Sequence, residues 1–165
     1  MTELSYPIEL DREEIHEVLP HRGDIQFVSS LTVLQHDRYQ GHAHWPENLP
    51  ILQGHFPGMP IVPGVFLIEA VAQVAGAGML VGDAYARSMG PGYVGVLVGV
   101  RKCSFKRPVL AGEAVVIDAT SRQMSQTAAT VTGKVTVRGD EVATIEIFVV
   151  NVPRDSLDMQ SQQAS

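Results

Sequence analysis

The sequence is short of cysteine, of basic residues and of uninterrupted apolar runs, and each shortage argues against a class of protein. Its single cysteine, Cys103, allows no intramolecular disulfide and favours a reducing compartment, with the thiol as a small core residue on a strand. With 12 Lys and Arg against 18 Asp and Glu, a net charge of −6 argues against a nucleic-acid surface. The apolar stretch 65–81 is interrupted by Glu69 and Gln73, and residues 1–10 lack the basic start and apolar run of a signal peptide. We therefore expect a soluble, cytoplasmic protein without a membrane span.

The length and composition fit one globular domain. The chain has 165 residues, of which 45% are hydrophobic and 18% charged, enough to bury a sizeable core. The composition turns polar near the C-terminus. We therefore predict a single domain over residues 1–151 and a disordered tail over residues 152–165.

The apolar pattern predicts an α+β fold. A short helix over 11–19 would be capped by Asp11, and a long apolar helix would begin near Gly64. Alternating apolar and polar residues predict strands over 27–35, 38–45, 93–104, 114–124, 128–138 and 141–150, with a loop over 83–92. One long helix among antiparallel strands predicts a sheet that wraps around that helix. The helix is apolar round most of its circumference, so a second subunit is the simplest cover for part of it.

The segment 53–70 combines a preset loop with two groups that can transfer protons. Glycines at 54, 58 and 64 alternate with prolines at 57, 60 and 63, so the loop is neither regular helix nor central strand. His55 lies in this loop, and Glu69 follows in the apolar helix, where a carboxylate costs free energy unless it has a partner or a function. A lone histidine or glutamate in such a place is more often structural. The combination of both with this loop favours acid–base chemistry.

This segment resembles the signature of the β-hydroxyacyl-(acyl carrier protein) dehydratases, the hot-dog enzymes that make the double bond in fatty acid elongation. The resemblance lies in Gly-His-Phe-Pro-Gly at 54–58, Pro60, Pro-Gly-Val at 63–65, Glu-Ala at 69–70 and Gln73. Leu-Pro-His-Arg at 19–22 and Phe-Lys-Arg-Pro-Val at 105–109 with Gly112 support it. The chain is therefore identified as a divergent member of that family.

The resemblance implies a hot-dog fold and a lyase that converts a 3-hydroxyacyl thioester into the trans-2-enoyl thioester. His55 would take the proton from C2, Glu69, kept protonated by an apolar wall, would protonate the leaving hydroxyl, and the N–H of Gly64 would bind the thioester oxygen. Gln73 and Val65 would support them. The family pairs two subunits so that each site takes His55 from one and Glu69 from the other, which implies a homodimer or a trimer of dimers. No metal and no cofactor is implied beyond the phosphopantetheine arm that carries the substrate.

Five residues are candidates for binding the substrate or its carrier. They are Phe56, Arg101, Lys102, Lys106 and Arg107. The four basic residues form a local cluster in an acidic chain, which fits an acyl carrier protein or the phosphate of a coenzyme A thioester. The alternative is an ordinary solvated strand edge.

Two other functions remain open at this stage. The same fold could serve an acyl thioesterase or a non-catalytic acyl-thioester binding protein, although a thioesterase often uses an acid without an opposing histidine.

His42 and His44 share one strand face and could suggest a metal site with His36, but solvated histidines are the simpler interpretation. A glutamate at 69, where isomerising relatives carry aspartate, argues against isomerase activity. Departures from the family pattern at 23–30 and 46–52 indicate a specialised pathway.

Overall fold

The computed structural model describes residues 3–163, which form helices, strands and short connections. The helices are α1 Arg12–Val18, α2 Pro50–Gln53, α3 Gly64–Gly82, α4 Ala84–Met89 and α5 Arg154–Gln163, with short 3₁₀ turns at Gly23–Ile25 and Gly90–Gly92. The strands are β1 Ile8–Leu10, β2 Val28–Gln35, β3 Arg38–His44, β4 Ile61–Val62, β5 Tyr93–Phe105, β6 Val109–Leu110, β7 Ala114–Gln123, β8 Ala128–Val137 and β9 Asp140–Pro153. The predicted long helix and the six predicted strands are confirmed.

In this described part of the chain, seven strands form one antiparallel sheet in the order β1-β2-β3-β7-β8-β9-β5. The short strands β4 and β6 pair separately beside the loop that leads into α3. The sheet curves around α3, which packs against β2, β3, β7, β8 and β9. This is the α+β hot-dog architecture that the sequence predicts.

Glycines let α3 lie close to the sheet. A Cβ atom at Gly133 on β8 would lie 2.6 Å from Cγ1 of Val71 on α3. The space that a Cβ atom would need at Gly41 on β3 is likewise occupied by the side chain of Val74. Val71 and Val74 are fully buried. A larger side chain on the sheet would therefore push the helix away from it.

Local signals fix the ends of several elements. Asp11 caps α1 through a capping box, because its carboxylate accepts the Glu14 N–H at 2.9 Å and the Glu14 carboxylate accepts the Asp11 N–H at 2.9 Å. The β8–β9 hairpin turns through Arg138 and Gly139, whose φ angles are 52° and 84°. Two consecutive positive φ values are the mark of the tight turn that matches strand twist.

Three predictions about local structure are wrong. The predicted loop over 83–92 contains α4, whose first turn is capped by Asp83 accepting the Ala86 N–H at 2.7 Å. The predicted disordered tail over 152–165 begins with the end of β9 and continues as α5, while residues 164–165 lie outside the described part. Cys103 lies on β5 as expected, but it is exposed and not in the core.

The helix α3 is long and apolar enough to cross a membrane by length and composition, with a mean hydropathy of 1.8. Its position explains this composition differently. Leu67, Ala70, Val71 and Val74 are buried against the sheet. The helix is the core of the domain.

The strand β5 forms one edge of the sheet, with β9 as its single neighbour in that sheet among the described residues. It carries large exposed apolar side chains, including Val98 at 53% and Val100 at 47%. A long apolar edge with unpaired backbone groups is a ready surface for another strand. This edge therefore leaves room for a further strand beside β5.

Candidate active site

Glu69 lies on the wall of a cavity of about 450 Å³ beside α3. Its apolar lining comes largely from the side of α3 that follows Glu69 and from the facing strands: Ala72, Gly76, Met79, Leu80, Leu97 and Val149. A cavity of this size and lining suits an aliphatic chain. The carboxyl group is therefore placed beside a space that an acyl chain could occupy.

Two side chains bind the same oxygen of Glu69. The Nε2 atom of His21 lies 2.9 Å from Oε1 of Glu69, and Nε2 of Gln73 donates to that same Oε1 at 2.9 Å. Gln73 is one turn after Glu69 on α3, so its predicted supporting role has the expected geometry. His21 comes from the connection after α1 and was assigned no role from the sequence.

The amide of Gln73 is fixed by the main chain before β2. Its Oε1 accepts the N–H of Phe27 at 3.0 Å, and its Nε2 also donates to the carbonyl of Ile25 at 2.7 Å. Because a backbone N–H can only donate and a carbonyl can only accept, the orientation of the amide is determined. Gln73 is 1% exposed, so it ties α3 to the segment at 25–27 within the core.

These contacts change the acidity of Glu69. Burial raises its pKa, whereas the hydrogen bonds from His21 and Gln73 lower it, and the balance leaves the pKa below its ordinary value. The sequence predicts the opposite direction on the basis of an apolar wall. That expectation is wrong for the single chain, because two polar donors reach the carboxyl group.

His55 is held by the loop between α2 and β4. Its Nδ1 lies 2.9 Å from the carbonyl oxygen of Ile61, and its backbone carbonyl accepts the Ile61 N–H at 2.7 Å. A carbonyl oxygen only accepts, so Nδ1 carries the hydrogen and Nε2 of the neutral ring keeps its lone pair. The ring stacks on Phe56, with centroids 4.4 Å apart. Nε2 is thus the ring nitrogen of His55 that can accept a proton.

The predicted acid and base do not share a cavity within one chain. His55 is not among the described residues that line the Glu69 cavity. Phe56 and Val65 are exposed, at 51% and 65%, so neither forms a wall around Glu69 in the single chain. A shared site would therefore need a second copy of the chain to bring His55 to Glu69.

Gly64 begins α3, so its N–H has no acceptor within the helix, and no side chain caps this end. The ring of Phe105 covers it: a Cβ atom at position 64 would lie 2.8 Å from Cζ of Phe105. Glycine is thus the residue that keeps this amide close to the ring. The predicted oxyanion donor lies at a positively polarised helix end, as that role requires.

Most of the predicted basic cluster is paired with acids. Arg101 lies 3.4 Å from Glu146. Lys106 contacts Glu141, and Arg107 lies 3.1 Å from Glu113. Lys102 takes part in no ion pair within the described residues. The cluster therefore carries less free positive charge than its sequence indicates.

Exposed arginines instead surround the Glu69 cavity. They are Arg22, Arg87 and Arg154. Arg22 donates to the carbonyls of Leu19 and His21 at 2.7 Å, and none of the three forms an ion pair with another described residue. Sequence spacing gave no signal for this group, because its members come from separate elements. In the same described range, no three His, Cys, Asp or Glu side chains are grouped to hold a metal ion.

The sheet wrapped around α3 is the hot-dog fold. A carboxyl group beside an apolar cavity in this fold fits a protein that acts on acyl thioesters. The chain belongs to the FabA-like family, whose domain model matches residues 19–146. It is 33% identical to the 3-hydroxyacyl-[acyl-carrier-protein] dehydratase FabZ of Listeria welshimeri over 140 residues, which is 84% of this chain and 94% of that protein. The divergent-member identification is thereby confirmed.

Solved structures share the fold at lower identity. The dehydratase heterocomplex ApeI:P from Xenorhabdus doucetiae has a TM-score of 0.69 at 15% identity, covering 95% of this chain and 98% of that one. The fluoroacetyl-CoA thioesterase FlK has a TM-score of 0.62 at 12% identity, covering 78% of this chain and 95% of that one. The fold alone therefore does not separate dehydratases from thioesterases.

Proposed function

We propose that this protein dehydrates 3-hydroxyacyl thioesters to trans-2-enoyl thioesters in fatty acid synthesis or a related acyl-chain pathway. The observation that carries the proposal is the Glu69 carboxyl group, which faces an acyl-sized cavity with one oxygen engaged by the protein and the other left for substrate. Membership of the FabA-like family supports the same reaction.

The proposed elimination uses two proton transfers. Nε2 of His55 takes the proton from C2, the C2 electrons form the double bond to C3, and the C3–O bond breaks as Glu69 gives its proton to the hydroxyl. Water leaves, His55 holds an additional proton, and Glu69 is a carboxylate. Filling of the cavity by the acyl chain would expel water, favour the neutral carboxyl group and oppose the two hydrogen bonds that favour its ionised form. The Gly64 N–H would stabilise the negative charge on the thioester oxygen.

The proposed site lies between two copies of the chain. The separation of His55 from the Glu69 cavity in one chain supports this arrangement, and so does the exposed apolar edge at β5. Edge-to-edge pairing of two β5 strands would continue the sheet and cover Val98 and Val100. We propose a homodimer, which could assemble further into the trimer of dimers that the resemblance implies.

The substrate in this proposal is carried on a phosphopantetheine arm, as an acyl carrier protein or a coenzyme A thioester. Arg22, Arg87 and Arg154 offer free positive charge at the rim of the Glu69 cavity, which suits a phosphate or an acidic carrier. The base, the acid and the amide donor are all supplied by the chain, so the proposal includes no metal and no further cofactor. The proposed location is the cytoplasm.

A product assay tests this proposal against the thioesterase and binding alternatives. The purified protein is given a 3-hydroxyacyl thioester of acyl carrier protein and, separately, of coenzyme A, and the enoyl product and free thiol are measured. The expected result is enoyl thioester without free thiol. Release of free thiol would support the thioesterase function, and binding without turnover would support a binding protein. Either result would refute the dehydratase proposal.

A further inference from the structure

The two oxygens of the Glu69 carboxyl group have different surroundings. Oε1 lies 2.9 Å from Nε2 of His21 and 2.9 Å from Nε2 of Gln73, whereas Oε2 has no hydrogen bond to any described residue. Two donors on one oxygen disfavour a proton there, since a protonated Oε1 could not accept both bonds without crowding hydrogens. The proton of the neutral carboxyl group is therefore directed to Oε2.

The protonation of His21 follows from its other ring nitrogen. Nδ1 of His21 is buried and has no hydrogen-bond partner in the described chain. A hydrogen on Nδ1 would be a buried donor without an acceptor, which costs more than a bare lone pair in the same place. The ring is therefore best satisfied as the neutral tautomer that carries its hydrogen on Nε2 and donates it to Glu69.

We propose that His21 is a positioning residue that fixes Oε2 of Glu69 as the oxygen that delivers the proton to the departing hydroxyl. This inference rests on the proposed dehydration. In the elimination, Oε2 loses its proton and the carboxylate that forms is stabilised at Oε1 by two hydrogen bonds that already exist. No reorganisation is needed when the negative charge appears, which is the condition for efficient stabilisation of a transition state.

The other ionisable groups around the cavity do not bind the carboxyl group. They are Glu17 from α1, Arg22 from the following connection, Arg87 from α4, Tyr93 from β5 and Arg154 after β9. None of these forms a hydrogen bond or ion pair with Glu69 in the described part of the chain, and the hydrogen bonds that lower the pKa of Glu69 come from His21 and Gln73. His21 is therefore the titratable neighbour to change.

The test compares two substitutions at this position. His21→Gln places an amide Nε2 near the lost ring nitrogen and keeps a donor that cannot titrate, whereas His21→Leu removes the donor and keeps an apolar side chain. Each variant is assayed for kcat and kcat/KM as a function of pH. The pKa of Glu69 is measured separately in the substrate-free protein by infrared spectroscopy with ¹³C-labelled glutamate, with Glu69→Gln identifying the band.

We expect His21→Leu to lower kcat about ten- to a hundred-fold with a smaller change in KM, since a hydrogen bond to a charged group is lost. Activity at low pH ends when His55 and Glu69 both hold a proton, and loss of the His21 donor raises the pKa of Glu69. The acidic limb of the profile and the infrared titration of Glu69 should therefore both move to higher pH. His21→Gln should recover most of kcat and restore both titrations toward those of the unmodified protein.

Three results would overturn the inference. One is a Glu69 titration in His21→Leu that matches the unmodified protein, because the hydrogen bond would then have no effect on the acid. Another is equal damage by leucine and glutamine, which would indicate a packing role. The third is absence of enoyl product from the unmodified protein. In this last case the infrared titration is still informative, because it reports the hydrogen bond without turnover. A Glu69 titration that still moves in His21→Leu would mean that the hydrogen bond exists and that the proposed dehydration is what failed.

Discussion

His55 donates its Nδ1 hydrogen to the carbonyl of Ile61 across 2.9 Å, which leaves Nε2 as the ring nitrogen with a free lone pair. The loop that makes this bond closes on itself, because the Ile61 N–H donates to the His55 carbonyl at 2.7 Å. The His55 ring is therefore positioned by backbone atoms of its own loop.

Complementation between two inactive variants would locate the site. His55→Ala and Glu69→Gln should each lower the rate of enoyl formation by about a hundred- to ten-thousand-fold, the usual contribution of a general acid or base. Mixed and refolded together in equal amounts, they should recover about a quarter of the activity, because half of the dimers pair an intact His55 with an intact Glu69 at one of two sites.

The control for this mixing is the double variant His55→Ala with Glu69→Gln, refolded with the unmodified protein. It should leave about a quarter of the activity, because a hybrid dimer then has no site with both an intact His55 and an intact Glu69, whereas sites contained within one chain would leave about half. If the two single variants stay inactive after subunit exchange has been verified by mass spectrometry, the site does not combine residues from two chains.

Removing the free arginines should weaken binding of a carrier-linked substrate. For the double variant Arg87→Ala with Arg154→Ala, we expect KM with an acyl carrier protein substrate to rise about three- to ten-fold, with kcat little changed. The matched control is Arg101→Ala, because Arg101 is already paired with Glu146. A short thioester without phosphate should be used equally well by both variants. A larger effect on KM from Arg101→Ala would indicate that the carrier binds at the basic cluster and not at the rim of the Glu69 cavity.

Gly133→Ala should destabilise the fold by about 1 to 3 kcal/mol, the usual cost of overpacking a core. The added methyl group would lie 2.6 Å from Cγ1 of Val71, so the helix or the strand must move. Gly99→Ala is the matched strand control, since its added methyl group meets Cβ of Phe148 at 3.9 Å, an ordinary contact. Urea unfolding monitored by circular dichroism measures both, and similar losses of stability would contradict the close packing of α3.

Glu113 should make stability depend on pH in the acid range. Burial raises the pKa of Glu113, but the Leu110 N–H and the Arg107 guanidinium together lower it by more than burial raises it. The folded-state pKa is therefore below the ordinary value. Its contribution is therefore complete above the unfolded-state pKa and is lost as the pH falls through the folded-state pKa. Glu113→Gln should reduce the free energy of unfolding at neutral pH and flatten its dependence on pH in this window.

Glu3→Gln is the control for this measurement, because Glu3 is exposed and outside the regular elements. Chemical denaturation at a series of pH values supplies the data for all three proteins. An unchanged slope in Glu113→Gln would mean that the pairing with Arg107 does not persist in solution.

Local patterns were sufficient to predict the regular elements of the fold. Asp11 is followed by Glu14 at the spacing of a capping box, and the strands alternate apolar and polar residues, so short-range spacing contains this information. The helix α4 was missed because Gly90, Pro91 and Gly92 make the whole segment look like a loop. The cap at Asp83 was the local signal that could have revealed it.

The environment of Glu69 could not be predicted from local patterns. His21 is far from Glu69 in the sequence, and only the docking of the segment after α1 against α3 brings its ring to the carboxyl group. The pairing of Arg101 with Glu146 likewise depends on the register between β5 and β9, which strand prediction does not give. Proximity of charges along a sequence therefore overstated the free charge of the basic cluster.

The anchor at Gln73 has an evolutionary consequence. Its amide binds the main chain of Ile25 and Phe27 and requires no particular side chain there. The exposed side chain of Ile25 can therefore vary while the Gln73 amide keeps both main-chain bonds, whereas Phe27 is held by its own packing against Trp45 and Phe66. Insertions or deletions between positions 21 and 27 would not be tolerated in this way, because they would move His21 and the two main-chain groups relative to each other.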